Sequence, residues 1–219
     1  MKLKVCGMKY EGNIGDVAKL QPDYLGFIFW KNSKRFFEGP MPQLPEHIKK
    51  VGVFVDATIE EVYVHVKKYN LQAVQLHGKE SPAYCKALQE LATSSKTIDD
   101  DLKTPAFEII KVFSIKDDFD FCQLEAFEEV CDYFLFDTKG KLPGGNGYTF
   151  NWAVLENYPS TKPYFLSGGI GLQELDNIKA FLQTPASKYC HVIDVNSQFE
   201  VEPGLKNIMA LEEFRKTVH

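Results

Sequence analysis

The sequence predicts a closed (β/α)8 barrel, an α/β fold of the TIM-barrel type, formed as a single domain over residues 1–219. Two observations predict it. Eight short runs of β-branched and aromatic residues alternate with longer amphipathic stretches, at a mean repeat of about 27 residues. The glycine-rich GxGxxG turn that an open dinucleotide-binding sheet places after its first strand is absent.

The strand-like runs are 3–6, 23–29, 50–55, 71–77, 107–113, 132–137, 162–168 and 189–195. Helix-like segments lie between most of them. Segment 58–69 follows Asp56 and Thr58, both good capping types. Segment 81–91 opens with Ser-Pro, a strong helix start. Segments 121–130, 172–181 and 205–216 carry apolar residues three and four apart. The stretch after the second strand, 31–50, holds three prolines and a glycine and predicts a long loop.

Composition bounds the function. The chain is 44% hydrophobic and 25% charged, ordinary values for a globular protein with a full core. Net charge is −5 with no basic block, which argues against a nucleic-acid partner. No apolar run approaches the roughly 18 residues of a membrane span, and the first residues show no leader pattern. A cytoplasmic protein without a membrane partner is expected. The five cysteines, Cys6, Cys85, Cys122, Cys131 and Cys190, are odd in number and form no CxxC, so neither a disulfide framework nor a metal site is indicated. Cys6 stays open as a packed small residue or a reactive thiol.

In barrels the chemistry sits at the C-terminal ends of the strands. Those ends carry Cys6-Gly7, the loop with Lys34 and Arg35, Gln75 and His77, Asp137, Ser167-Gly168-Gly169, and Asp194 with Asn196 and Ser197. Period-two alternation puts Lys4 with Cys6, Gln75 and Ala73 with His77, Leu135 and Tyr133 with Asp137, and Val192 with Asp194 on the inward faces. Leu3, Val5, Phe134 and Phe136 then face the helices. Gly168-Gly169 is expected to start the turn into the seventh helix, whose N-terminus offers N–H groups to an anion, with Ser197 beside it. A second glycine loop, Gly144, Gly145 and Gly147, follows the sixth strand. Asp194 reads equally as a site residue or as a structural partner of Lys4. His47, His65 and His191 read as surface or packing residues, and the other four cysteines as structural.

The segments KVCGM (4–8), GFIFWKNSKRF (26–36), VGVFVD (51–56), VQLHG (74–78), FLFDT (134–138), GGNGYTFNW (144–152), FLSGGI (165–170) and IDVNSQFEVEPGLKN (193–207) together resemble the phosphoribosylanthranilate isomerase family of tryptophan biosynthesis. The resemblance implies an Amadori rearrangement of a small-molecule substrate, N-(5-phosphoribosyl)anthranilate, with no cofactor and no metal, in a monomer or homodimer. It implies Asp137 as general acid at the furanose oxygen and Cys6 as general base at the sugar C2. It implies that Arg35 pairs the anthranilate carboxylate, that His77 and Asp194 contact substrate, and that Gly145, Gly147, Gly168, Gly169 and Ser197 bind the phosphate. The chain departs from the family pattern at Lys34, Asn146, Tyr148, Asn196 and Gln198. Two rivals remain: a barrel acting on the related histidine-pathway aminoaldose, which commonly uses two aspartates, and a non-catalytic phosphosugar-binding barrel.

Overall fold

A computed structural model gives the fold and describes residues 1–94, 106–116, 118–138 and 149–218. Eight strands form a closed barrel in chain order: β1 (Lys2–Val5), β2 (Tyr24–Ile28), β3 (Lys49–Phe54), β4 (Ala73–Leu76), β5 (Glu108–Ile115), β6 (Tyr133–Thr138), β7 (Tyr164–Leu166) and β8 (Cys190–Val195). Neighbouring strands pair in parallel throughout. β8 closes on β1 with Lys4 opposite Asp194 and Val5 opposite Val195. Each predicted strand is present, within a few residues of its expected ends.

Alternation sorts the side chains into two cores. Tyr24, Val51, Ala73, Ile110, Val112, Leu135, Phe165 and Val192 form a separate cluster that fills the barrel. Leu3, Val5, Phe134 and Phe136 join the larger cluster under the surrounding helices. Each such side chain contributes about 1.5–3 kcal/mol when fully buried. The plug fills the lower barrel, so Gln75, Asp137 and Asp194, two positions beyond Ala73, Leu135 and Val192, emerge above it.

Two of the predicted helices form as the capping signals indicate. Thr58 caps α2 (Ile59–Tyr69) in a reciprocal box with Glu61, and Asn70 ends it with φ +49°. Ser81 Oγ accepts from Tyr84 N at 3.2 Å at the start of α3 (Pro82–Ser94). Elsewhere the structure differs from expectation. A helix absent from the sequence reading, α1 (Glu11–Lys19), joins β1 to β2; its start at Tyr10 has no side-chain cap. Segment 121–130 forms only a 3-10 helix over Phe121–Phe127. Segment 172–181 begins as one 3-10 turn and becomes α4 (Leu175–Phe181). The start of segment 205–216 belongs to a hairpin, β9 (Glu200–Glu202) and β10 (Leu205–Lys206), before α5 (Ile208–Val218). This hairpin folds back toward the barrel mouth.

Candidate active site

Cys6 follows the last residue of β1, and its N–H donates to Val195 O at 2.8 Å, so β8 fixes its height at the rim. Its thiol packs on β2 at Gly26, where any Cβ would stand 2.7 Å from Cys6 Sγ. The glycine therefore makes room for the sulfur. Gly7 has φ +75°, and a Cβ there would meet Asn196 Oδ1 at 2.6 Å and Arg35 Cδ at 2.7 Å. The turn after Cys6 needs both the left-handed backbone and the missing side chain.

One cavity at the mouth, with about 730 Å³ of atom-free space including its open side, is lined by Cys6, Arg35, His77, Asp137, Gly168, Gly169, Asp194 and Ser197. Every expected site residue among those described thus meets in one place. Gly145 and Gly147, with Asn146 and Tyr148, lie outside the described residues. Gly168 and Gly169 turn the chain at the mouth with positive φ, +95° and +70°, and an extended Gly171 leads into the 3-10 turn at Leu172, where the expected segment 172–181 begins.

Cys6 is 5% exposed, and burial pushes its thiol up. The Lys4 ammonium opposes this most strongly, Asp194 pushes the thiol up further, and Lys206 pulls it down; the thiol stays above its ordinary value. Lys4 and Asp194 form a buried pair at 2.7 Å, with side chains 0% and 4% exposed. Burial alone would draw Lys4 down, yet Asp194 and Cys6 outweigh it and hold the ammonium above its usual value. Asp194 is raised, chiefly by burial and against the pull of Lys4.

Asp137 at the end of β6 is 5% exposed. His77 Nε2 stands 3.4 Å from its Oδ2, without the alignment of a hydrogen bond. A clasp steadies the neighbouring loops. Lys111 Nζ reaches Glu80 Oε2 at 2.7 Å and Gly78 O at 2.8 Å, while Glu80 Oε1 accepts from Asp56 N at 3.0 Å. The ends of β3 and β4 are thereby tied together beside His77.

Three buried polar atoms on the cavity wall, Gln75 Oε1, His77 Nε2 and Asp194 Oδ1, have no hydrogen-bond partner among the described residues. Buried polar groups are normally satisfied. Three together, above an apolar plug, suit a ligand rich in hydroxyl groups.

Arg35 carries a bidentate contact that the sequence reading missed. Its Nε donates to Glu200 Oε1 and Oε2 at 2.8 and 3.0 Å, and its Nη2 donates to Oε2 at 2.6 Å. Lys206 Nζ reaches Glu200 Oε1 at 2.7 Å and Asn196 Oδ1 at 2.8 Å. Burial would raise Glu200, but the Arg35 hydrogen bonds and the Lys206 charge hold its carboxyl below the usual range. Lys206 itself is lowered by burial. Glu200 and Lys206 flank a Pro-Gly turn, the one sequence signal that pointed to a hairpin joining them. Among the described residues, no three His, Cys, Asp or Glu side chains are grouped as metal ligands. His65 packs among Phe29, Phe54 and Tyr69, and His191 stacks on Tyr133, both away from the mouth.

Comparison with known proteins adds a family. The family model described as N-(5'phosphoribosyl)anthranilate (PRA) isomerase matches residues 3–217. The N-(5'-phosphoribosyl)anthranilate isomerase of Parabacteroides distasonis is 40% identical, covering 98% of this chain and 91% of that protein. The enzyme of the same name from Phocaeicola vulgatus is 36% identical, covering 98% and 96%. The crystal structure of phosphoribosyl anthranilate isomerase from Thermotoga maritima aligns with TM-score 0.79 at 26% identity, covering 99% of this chain and 98% of that one.

Proposed function

The chain belongs to the N-(5'-phosphoribosyl)anthranilate isomerase family, and from that premise we propose how its residues carry the reaction. The enzyme is an isomerase of tryptophan biosynthesis. It converts N-(5-phosphoribosyl)anthranilate, an aminoaldose, to 1-(2-carboxyphenylamino)-1-deoxyribulose 5-phosphate, a ketose, by an Amadori rearrangement.

Asp137, protonated, donates to the furanose ring oxygen. The C1–O bond breaks and the anilino nitrogen supplies the electrons for a C1 iminium ion. That cation acidifies the proton at C2, and the Cys6 thiolate removes it to leave an enolamine. The enolamine tautomerises to the ketose, gaining a proton at C1 as the C2 hydroxyl loses one, so no atom is gained or lost. Groups of this kind contribute roughly 10²–10⁴-fold each. The resting thiol is held up by burial, so its proton leaves with the help of the Lys4 and Lys206 charges and of the iminium cation.

Arg35 takes the anthranilate carboxylate. Gly168, Gly169 and Ser197 take the phosphate, with Gly145 and Gly147 supplied by the loop after β6. His77 and Asp194 contact the sugar, and their unpartnered atoms support that assignment. Gln75 joins them, through Oε1. The enzyme works in the cytoplasm, whose reducing conditions suit its free thiols. The assembly is a monomer or a homodimer.

The observation that carries this reading is the convergence of Cys6 and Asp137, from β1 and β6, on one cavity. Fluorescence loss of the anthranilate substrate tests it. Cys6→Ala and Asp137→Asn should each lower kcat by at least about 10²-fold. Normal turnover in both folded variants would sink the acid–base assignment. Binding of ribose phosphates without turnover in the wild type would favour the binding-barrel rival.

A further inference from the structure

The Arg35 guanidinium is held by one edge only. Its Nε and Nη2 face Glu200, leaving Nη1 and the second Nη2 hydrogen as a planar edge without a hydrogen-bond partner among the described residues, on a side chain that lines the cavity. Glu200 is 5% exposed and cannot drift with solvent, because Lys206 Nζ and Gly204 N also bind its Oε1, at 2.7 and 3.0 Å. Lys206 in turn is anchored to Asn196, just after β8. The hairpin therefore grips Arg35 from a rigid base, across 165 residues of sequence.

We propose that Glu200 is a positioning residue for substrate choice: it orients Arg35 so that the free edge meets the ring carboxylate, and so gives the β9–β10 hairpin a part in selecting carboxylated over uncarboxylated anilines. This rests on the reading of Arg35 as the carboxylate partner. A guanidinium free to rotate would lose bidentate geometry and pay rotamer entropy on binding; one clamped along its far edge is already arranged. Glu200 also stands between two cations, Arg35 and Lys206, and keeps them from repelling each other.

Two substrates separate the roles: phosphoribosylanthranilate, and the phosphoribosyl amine of aniline, which has the same sugar and no carboxylate. For Glu200→Gln, kcat/KM on the anthranilate substrate should fall by about 10–100-fold, the range for a lost charged hydrogen bond. The fall should lie mainly in KM. On the aniline substrate the loss should be under about threefold, within the scatter of a positioning effect. Glu200→Asp, one methylene shorter, should show the same selectivity and serves if the glutamine variant does not fold. Equal losses on both substrates, or no loss on either, overturn the proposal. Arg35→Met is the companion measurement. If its loss is selective for anthranilate while that of Glu200→Gln is not, the carboxylate reading stands and the proposal fails. If the Arg35→Met loss is unselective, the reading fails and takes the proposal with it.

Discussion

Replacing Lys4 by methionine separates what the Lys4–Asp194 pair does for stability from what it does for Cys6. Two unit charges 2.7 Å apart attract by about 6 kcal/mol at an effective dielectric of about 20. Desolvation of both groups offsets most of that, so the intact pair contributes little net stability. Losing one partner is another matter. Asp194 would keep a buried carboxylate whose Oδ1 already lacks a partner, at a cost of about 3–5 kcal/mol. The lower end is expected, because Asp194 is already raised and can take up a proton. Urea unfolding reads this term.

The second term concerns the base. Lys4 is the strongest influence drawing the thiol down, so its removal raises the thiol further. In the proposed mechanism Cys6 acts as thiolate, and below its pKa each unit of increase costs about tenfold in thiolate. The rising limb of kcat/KM against pH should move to higher pH, with a loss near neutrality that is recovered in alkali. In Lys4→Met/Asp194→Leu, stability should return while the limb stays displaced, since the Asp194 carboxyl that takes up a proton in the single variant no longer carries the charge that raised the thiol. A folded Lys4→Met enzyme whose limb coincides with that of the wild type would refute the electrostatic coupling.

Other perturbations follow from the same contacts. Gly26→Ala puts a methyl 2.7 Å from Cys6 Sγ and 3.1 Å from Cys6 Cα. It should cost about 1–3 kcal/mol in stability and lower kcat more than it changes KM; unchanged kcat would show that the sulfur is free to move. Lys111→Met leaves the Glu80 carboxylate, 1% exposed, without its cation. The thermal midpoint should drop by roughly 6–12 °C, as a loss of about 3 kcal/mol implies for a chain of this size. A shift below about 2 °C would mean that the clasp at the ends of β3 and β4 is not needed.

The legible and the hidden parts of this molecule divide along physical lines. Strand alternation alone placed Ala73, Leu135 and Val192 inside the barrel, because a pleated strand has only two faces and one of them must meet the plug. The capping box at Thr58 was readable because its partners lie three residues apart. Helix α1 was missed because Gly12 and Gly15 weaken its propensity and Tyr10 provides no cap, although Ile14, Val17 and Ala18 keep the helical spacing. Apolar residues three and four apart over 121–130 fit an α-helix and a tighter 3-10 turn alike, so periodicity could not choose between them.

By itself the sequence favoured a barrel over an open sheet and determined which residues share a face with Cys6 and Asp137, since these follow from element order and local periodicity. Only the tertiary structure decided how the charges are shared. Lys4 meets Asp194 across 190 residues and Arg35 meets Glu200 across 165. Such pairs depend on barrel closure and on the fold-back of the β9–β10 hairpin, and no spacing along the chain encodes either distance. The faces on which Cys6 and Asp137 stand could therefore be read from the chain, while their proposed roles as base and acid rest on the family resemblance and the ion pairs beside Cys6 and Arg35 exist only in the folded barrel.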